Sequence, residues 1–251
     1  MQPELDILVK HVRELAEKAA QGGYYTYTDF LGLGELSAVK MIERELPIMY
    51  TSFGGALDAE RVILAFGNAD EFGYQPEFPI KLIKIEPLMQ KYADRLSHRD
   101  FLGAILNLGI ERSVLGDIII KDNIGYTFVL DDMADYVMSE IKRIKHTDVK
   151  ASRVYELPEG ELYKTEAKRI TMEGERLDAV IAKVFSLSRS DAQALFKRGL
   201  VFADGREVSS ASYTPKANEK ISVRGHGRFI YRGVTCETRR GKLAVFVDLY
   251  V

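Results

Sequence analysis

The apolar positions of this chain change period along its length, and the changes divide it. Leu5, Leu8, Val9, Val12, Leu15 and Ala16 recur at helical spacing, and Gln21-Gly22-Gly23 ends the run. A second helix is expected from about Leu36 to Leu46. Ile48-Met49-Tyr50 and Val62 to Phe66 then read as short strands on either side of Phe53-Gly54-Gly55. Residues 1–75 thus make a small N-terminal α/β domain.

From Pro79 the pattern becomes more regular. Pro79 to Pro87 reads as a strand, Arg99 to Leu108 as a helix and Ser113 to Lys121 as a strand. After a turn at Asp122-Asn123-Ile124-Gly125 come a strand from Tyr126 to Leu130, a helix from Asp131 to Ile144 opened by an acidic cap, and a strand from Asp148 to Leu157. A β-α-β-β-α-β order over residues 76–160 is the ferredoxin-like arrangement that RNA recognition motifs share. Tyr126 and Phe128 fall on one face of the third strand by alternation, a candidate surface for stacking a base, although the first strand is nearly aliphatic.

Residues 158–168 are polar and read as a linker into a third domain, 164–251. There Leu177, Val180, Ile181, Val184 and Phe185 mark one helix. Ser188, three residues before Asp191, caps a second that ends at Gly199 after Lys197-Arg198. Leu200 to Phe202, the turn pair Asp204-Gly205, Glu207-Val208 and Ile221 to Val223 follow as strand, turn and strands. Phe229 to Glu237 and Leu243 to Val251 form a terminal β-hairpin whose basic tip is Arg239-Arg240-Gly241-Lys242. The fold class is α+β, in three parts.

Charge sharpens this division. The chain of 251 residues carries a net −2, but from Lys164 onward there are 17 Lys plus Arg against 10 Asp plus Glu, or +7, which leaves −9 for the rest. A cationic lobe tied to an anionic one suits a protein that presents one end to phosphate. In the third domain Arg176, Arg189, Gln193, Lys197 and Arg198 would line the helix pair. Ser188 and Ser190, with the free amides that start the second helix, would bind phosphate oxygens, and Arg206, Lys216, Arg224 and Arg228 would border them. Asp178 beside Arg176 reads as a structural ion pair. A shallow cationic face recognises the shape and phosphate spacing of folded RNA more than its sequence.

Other chemistry finds little support. His11, His98, His146 and His226 have no spacing that suggests a zinc site or a base-nucleophile pair, and the lone Cys236 excludes an internal disulfide. Gly54-Gly55 lacks the Lys-Ser/Thr of a phosphate loop, so it reads as a turn, and Gly32-x-Gly34 is too short a signal for a nucleotide. No catalytic residue, metal or cofactor is expected. The chain starts without a signal-peptide pattern and has no run approaching the ~20 apolar residues of a membrane span, so a cytoplasmic location is expected.

The succession Arg176-Leu177-Asp178, Ser188-Arg189, Lys197-Arg198-Gly199, Asp204-Gly205 and Lys220 to Val223 resembles the αL-type S4 domain of ribosomal and RNA-modifying proteins, over about residues 170–228. With the long N-terminal part, the whole chain resembles the YlmH family of S4-domain proteins, encoded among cell-division genes of Gram-positive bacteria. The resemblance implies a non-catalytic protein that binds structured ribosomal or transfer RNA on the large (50S) ribosomal subunit, in the quality control of stalled nascent chains. It also implies that the middle domain contributes to RNA binding. Two alternatives stand beside it. One is a protein-interaction adaptor in cell division, with the acidic N-terminal and middle domains holding a protein partner and the S4 module as tether. The other is an RNA-modifying enzyme, against which the short segment after the module argues.

Overall fold

Val12, Ala16 and Ala19 are buried at helical spacing, which seats helix α1 (Pro3–Gly22) on a small core with Leu31, Val39, Leu64 and Phe66. The computed structural model describes residues 3–57, 59–158, 165–238 and 241–250. After α1 come β1 (Thr26–Tyr27), α2 (Leu33–Ile42), β2 (Tyr50–Phe53), β3 (Ile63–Phe66) and a single helical turn, α3 (Ala69–Phe72). The three strands form an antiparallel sheet in the order β1-β3-β2. β2 begins at Tyr50, later than the apolar run Ile48 to Tyr50 suggested, because Ile48 packs into the α1 core while the ladder to β3 starts at Tyr50. β1 is too short to leave a pattern; it is fixed by the Thr26 hydroxyl, which donates to the Leu15 carbonyl at 2.8 Å.

The second sheet comprises β4 (Ile80–Pro87), β5 (Leu115–Lys121), β6 (Ile124–Leu130), β7 (Arg143–Ile144) and β8 (Thr147–Val154), with α4 (His98–Leu106) and α5 (Asp131–Glu140) between them. Its order is β5-β6-β4-β8-β7, so the four long strands lie 2-3-1-4 by chain order, which is the split β-α-β arrangement. Two expectations need correction. Helix α5 stops at Glu140, because the chain turns back through Lys145, at φ +52, to pair β7 with β8. Asp131 is the first residue inside α5 and not its cap; its carboxylate pairs with Lys81 at 3.1 Å.

Both faces of this sheet are covered. Ile83, Ile85 and Val129 pack with Phe101, Ile105 and Val137 of the two helices. On the opposite face Tyr126 and Phe128 are 9% and 3% exposed. Gly55, at φ +92, lies so close to Phe128 that an added Cβ would sit 2.1 Å from the ring. The candidate stacking surface is therefore buried under the N-terminal segment and unavailable to a base. Arg61 fastens the two sheets: its guanidinium donates to the carbonyls of Leu115 and Phe30 at 2.7 Å and of Arg112 at 3.0 Å. In return Asp117 accepts from the backbone amides of Glu60 at 2.8 Å and Arg61 at 3.3 Å. Residues Met1–Leu162 accordingly form one compact unit and Tyr163–Val251 a second.

The second unit runs β9 (Thr165–Met172), α6 (Leu177–Val184), α7 (Arg189–Lys197), β10 (Val201–Ala203), β11 (Arg206–Glu207), β12 (Glu219–Val223), β13 (Gly227–Glu237) and β14 (Leu243–Tyr250). Its six strands lie in the order β11-β10-β12-β13-β14-β9, so the terminal hairpin extends the sheet as expected. β9 is the correction. Residues 165–168, read as linker, belong to a strand that pairs along its whole length with β14, and its alternation is weak because Glu166 and Lys168 stand on the face that farther along buries Ile170 and Met172. The remainder of that linker, residues 159–164, and the hairpin tip at Arg239-Arg240 lie outside the described residues. Leu177, Val180, Ile181 and Val184 of α6 and Leu195 and Phe196 of α7 pack on Val201, Ile221, Phe229 and Val245. Asp204 and Gly205, at φ +46 and +72, make the tight two-residue turn that keeps β10 and β11 in register.

Candidate nucleic-acid interface

Helix α7 buries Ala192, Leu195 and Phe196, which leaves Arg189, Gln193 and Lys197 at four-residue spacing on another face. Positions i, i+4 and i+8 stack along one side of a helix, so these three form a stripe about 12 Å long at 1.5 Å per residue. The stripe is anchored at one end by Asp178. This carboxylate is 0% exposed and draws five hydrogen bonds from four residues. Arg176 reaches it through Nε and Nη2 at 3.1 and 3.0 Å, Gln193 at 2.8 Å, Arg189 at 3.4 Å, and the Ala179 amide at 2.9 Å. Burial by itself would raise the Asp178 pKa, but the Arg176 and Gln193 hydrogen bonds and the charges of Arg176 and Arg189 outweigh it and hold the group at about 2. The Asp178 contact raises the Arg176 pKa in turn. Asp178 is thus a positioning residue: it holds two half-exposed guanidiniums and an amide in one orientation, with their outer edges to solvent.

The start of α7 is arranged differently from the expectation of open amides. Ser188 accepts the Asp191 amide at 3.1 Å, its hydroxyl donates to the Asp191 carboxylate at 2.6 Å, and the Ser190 hydroxyl lies 2.8 Å away. The Ser188 hydroxyl therefore caps the helix and holds the Asp191 carboxylate beside it, and a phosphate there would meet that negative charge. Positive charge at this face comes from the arginines.

The other candidates are spread over four places. Arg198 ends α7 next to Leu200, whose carbonyl accepts from the Arg224 amide at 2.9 Å, and the Arg224 guanidinium lies 5.3 Å from the Phe202 ring centre. Arg228 lies 4.2 Å over the ring of Tyr250. Arg206 is exposed on the β10–β11 hairpin, and Lys216 is exposed in the loop before β12, where its amide donates to Glu219 at 2.8 Å. The structure thus brings Arg176, Arg189, Gln193 and Lys197 into one array and sets Arg206, Lys216 and Arg228 apart from it. Lys168 was missed as part of the supposed linker; its ammonium donates to the Val184 carbonyl at 2.7 Å and closes the end of α6.

Among the described residues no group of His, Cys, Asp and Glu could hold a metal ion, and no helix is long and apolar enough to cross a membrane. The first unit carries a pocket of about 460 Å³ lined by Tyr27, Thr28, Asp29, Pro79, Leu130, Asp131 and Asp132. Its anionic wall is the wrong sign for the phosphates of a nucleotide.

Residues 74–156 match the family model described as "Putative RNA-binding domain in YlmH". Over 225 residues the chain is 29% identical to the "Ribosome-associated protein quality control protein P2" of Bacillus subtilis (strain 168), covering 87% of this chain and 84% of that protein. The solved structure of "Cell division protein ylmH from Streptococcus pneumoniae" aligns with a TM-score of 0.52 at 18% identity, over 62% of this chain and 93% of that one. At that identity the likeness is one of fold. The sequence match across most of the chain, the matched middle segment and the likeness of fold agree in making the chain similar to YlmH proteins.

Proposed function

We propose that this protein binds structured ribosomal or transfer RNA without catalysis, through an S4-type module at about residues 170–228, in the cytoplasm and on the large ribosomal subunit. The observation that carries the reading is the array set by Asp178, with Arg176, Arg189 and Gln193 fixed around one buried carboxylate and Lys197 continuing the line along α7. Pre-oriented cations along a rigid helix match the regular phosphate spacing of a folded RNA backbone and lose little side-chain freedom on binding. The net +7 of the chain from Lys164 onward supplies attraction over a longer range. A role in ribosome-associated protein quality control comes from the Bacillus relative's name, and a link to cell division from that of the Streptococcus protein.

The adaptor reading draws on a separate observation. Phe72, Tyr74, Tyr25, Tyr27, Phe78 and Phe53 form a continuous series of ring contacts in the acidic first unit, and Tyr74 and Phe53 are 48% and 43% exposed. Such rings suit a protein partner. Sedimentation with 30S, 50S and 70S particles across a salt series separates the two. Binding to 50S that falls steeply with salt and is lost in Arg189→Ala with Lys197→Ala is the expected result. Salt-insensitive association that survives both substitutions would move the weight to the adaptor.

A further inference from the structure

With the sheet face of the first unit buried, RNA contacts there must come from an edge or an end. The outer edge of β8 is such a place. β7 pairs only Arg143 with Asp148 and Ile144 with Thr147, and the Val149 amide still donates to Lys142, so beyond Val149 this edge has no strand partner among the described residues. The open stretch runs to Tyr155, 83% exposed, with the Arg153 guanidinium 5.0 Å from its ring centre.

The opposite end is formed by the loop after β4. The Leu88 amide donates to the Asp148 carbonyl at 2.9 Å, and the Asp94 amide to the Thr147 hydroxyl at 2.8 Å, which ties this loop to the start of β8. The loop carries Tyr92, 76% exposed, with the Lys91 ammonium 5.5 Å from its ring centre. Arg95 is exposed on the same loop. Along β8, Lys150 shares one carboxylate, Glu86, with Lys84, at 3.3 and 2.6 Å, which leaves an excess positive charge on the sheet face opposite Arg153. Charged side chains alone are an ordinary way of protecting a bare strand edge. Two exposed aromatic rings, each backed by a cation, are not explained by that need, since they add the apolar surface that protection avoids.

We propose that the outer edge of β8 and the Leu88–Arg95 loop form a second RNA site for a single-stranded segment, with Tyr92 and Tyr155 as stacking platforms and Lys91, Lys150 and Arg153 meeting the backbone. This rests on the reading of the chain as an RNA-binding protein but uses a different surface from α7. The run from Val149 to Tyr155 spans about 20 Å at ~3.3 Å per residue, room for a few nucleotides. Base stacking on a ring needs an unstacked base, so the ligand is a loop or a strand and not a duplex.

The test measures fluorescence anisotropy of the full-length protein with two labelled RNAs, an unstructured oligouridylate of about eight nucleotides and a stable hairpin. Tyr92→Ala with Tyr155→Ala should weaken the oligouridylate about thirty-fold, since stacking contributes ~1–3 kcal/mol per base, while hairpin binding stays near wild type. Tyr92→Phe with Tyr155→Phe should retain both, because the ring and not the hydroxyl is used. Arg189→Ala with Lys197→Ala should show the reverse selectivity. Unchanged oligouridylate affinity in the alanine pair, or no oligouridylate binding by the wild type, overturns the proposal. Loss of hairpin binding by the wild type overturns the α7 reading instead.

Discussion

The side-chain amide of Gln193 donates to the buried carboxylate of Asp178 at 2.8 Å, across 15 residues of sequence. This bond joins α6 to α7 at the face where the cations gather, so the helix pair and the array share one anchor. Asp178→Ala should lower the stability of the second unit by about 2 kcal/mol, below the cost of breaking a fully buried pair. The discount follows because Arg176 and Arg189 are 45% and 59% exposed and rehydrate when released. The chain has no tryptophan, so hydrogen exchange of the α6 amides is the suitable readout. RNA affinity should fall more than one lost charge explains, since the arginines lose their orientation. Stability loss with unchanged affinity would remove Asp178 from the positioning role.

Lys197 tests the other end of the stripe. It has no part in the Asp178 cluster and is exposed. Lys197→Ala should leave unfolding unchanged within about 0.5 kcal/mol and reduce the slope of log K against log salt by about 0.7 to 0.9, the value of one phosphate contact. An unchanged slope in a hairpin titration would take Lys197 out of the interface.

Arg61 offers a test in the first unit. Its guanidinium serves three carbonyls, on Phe30, Arg112 and Leu115, so it closes the N-terminal sheet over the face that holds Tyr126 and Phe128. Arg61→Ala leaves these acceptors without that donor and should cost about 3 kcal/mol. Tyr126 and Phe128 would then become more accessible, and amides of β6 should exchange faster than those of α4. Equal protection of both would show that the sheets hold together without Arg61.

How much was legible follows from where the signals lie. The four long strands of the first unit's second sheet, its two helices apart from the end of α5, the two helices of the second unit and the Asp204-Gly205 turn came through because each has a strong local period or a residue chosen for its backbone angle. β1, β7 and β9 did not. The first two contain two residues each, and the first half of β9, Thr165 to Arg169, is polar and charged in a way that resembles linker composition. The stacking reading of Tyr126 and Phe128 failed for a different reason. Alternation gave their common face correctly, but Gly55 and Phe30, far away in sequence, cover that side of the sheet. At the candidate site the cations were visible as residue types. Their grouping around Asp178 was not, because Arg189 and Gln193 meet it only after the helices pack.

The acid limb of stability gives a final prediction. Burial opposes ionisation of Asp178, yet its partners hold it at about 2 against the ordinary 3.8. A depressed carboxylate stabilises the fold fully above the unfolded value, and that contribution disappears as pH falls from about 4 through about 2, where the unfolded chain takes the proton first. The contribution is on the order of 2 kcal/mol. In the first unit Asp100 is also held at about 2, by its hydrogen bonds from Lys145 and Ser97, so that unit has an acid limb of its own. Asp178→Asn should therefore flatten the loss of α6 protection between about pH 4 and pH 2 and leave the response of α4 unchanged. Parallel pH profiles for the α6 amides of wild type and variant would mean that another carboxylate governs the second unit.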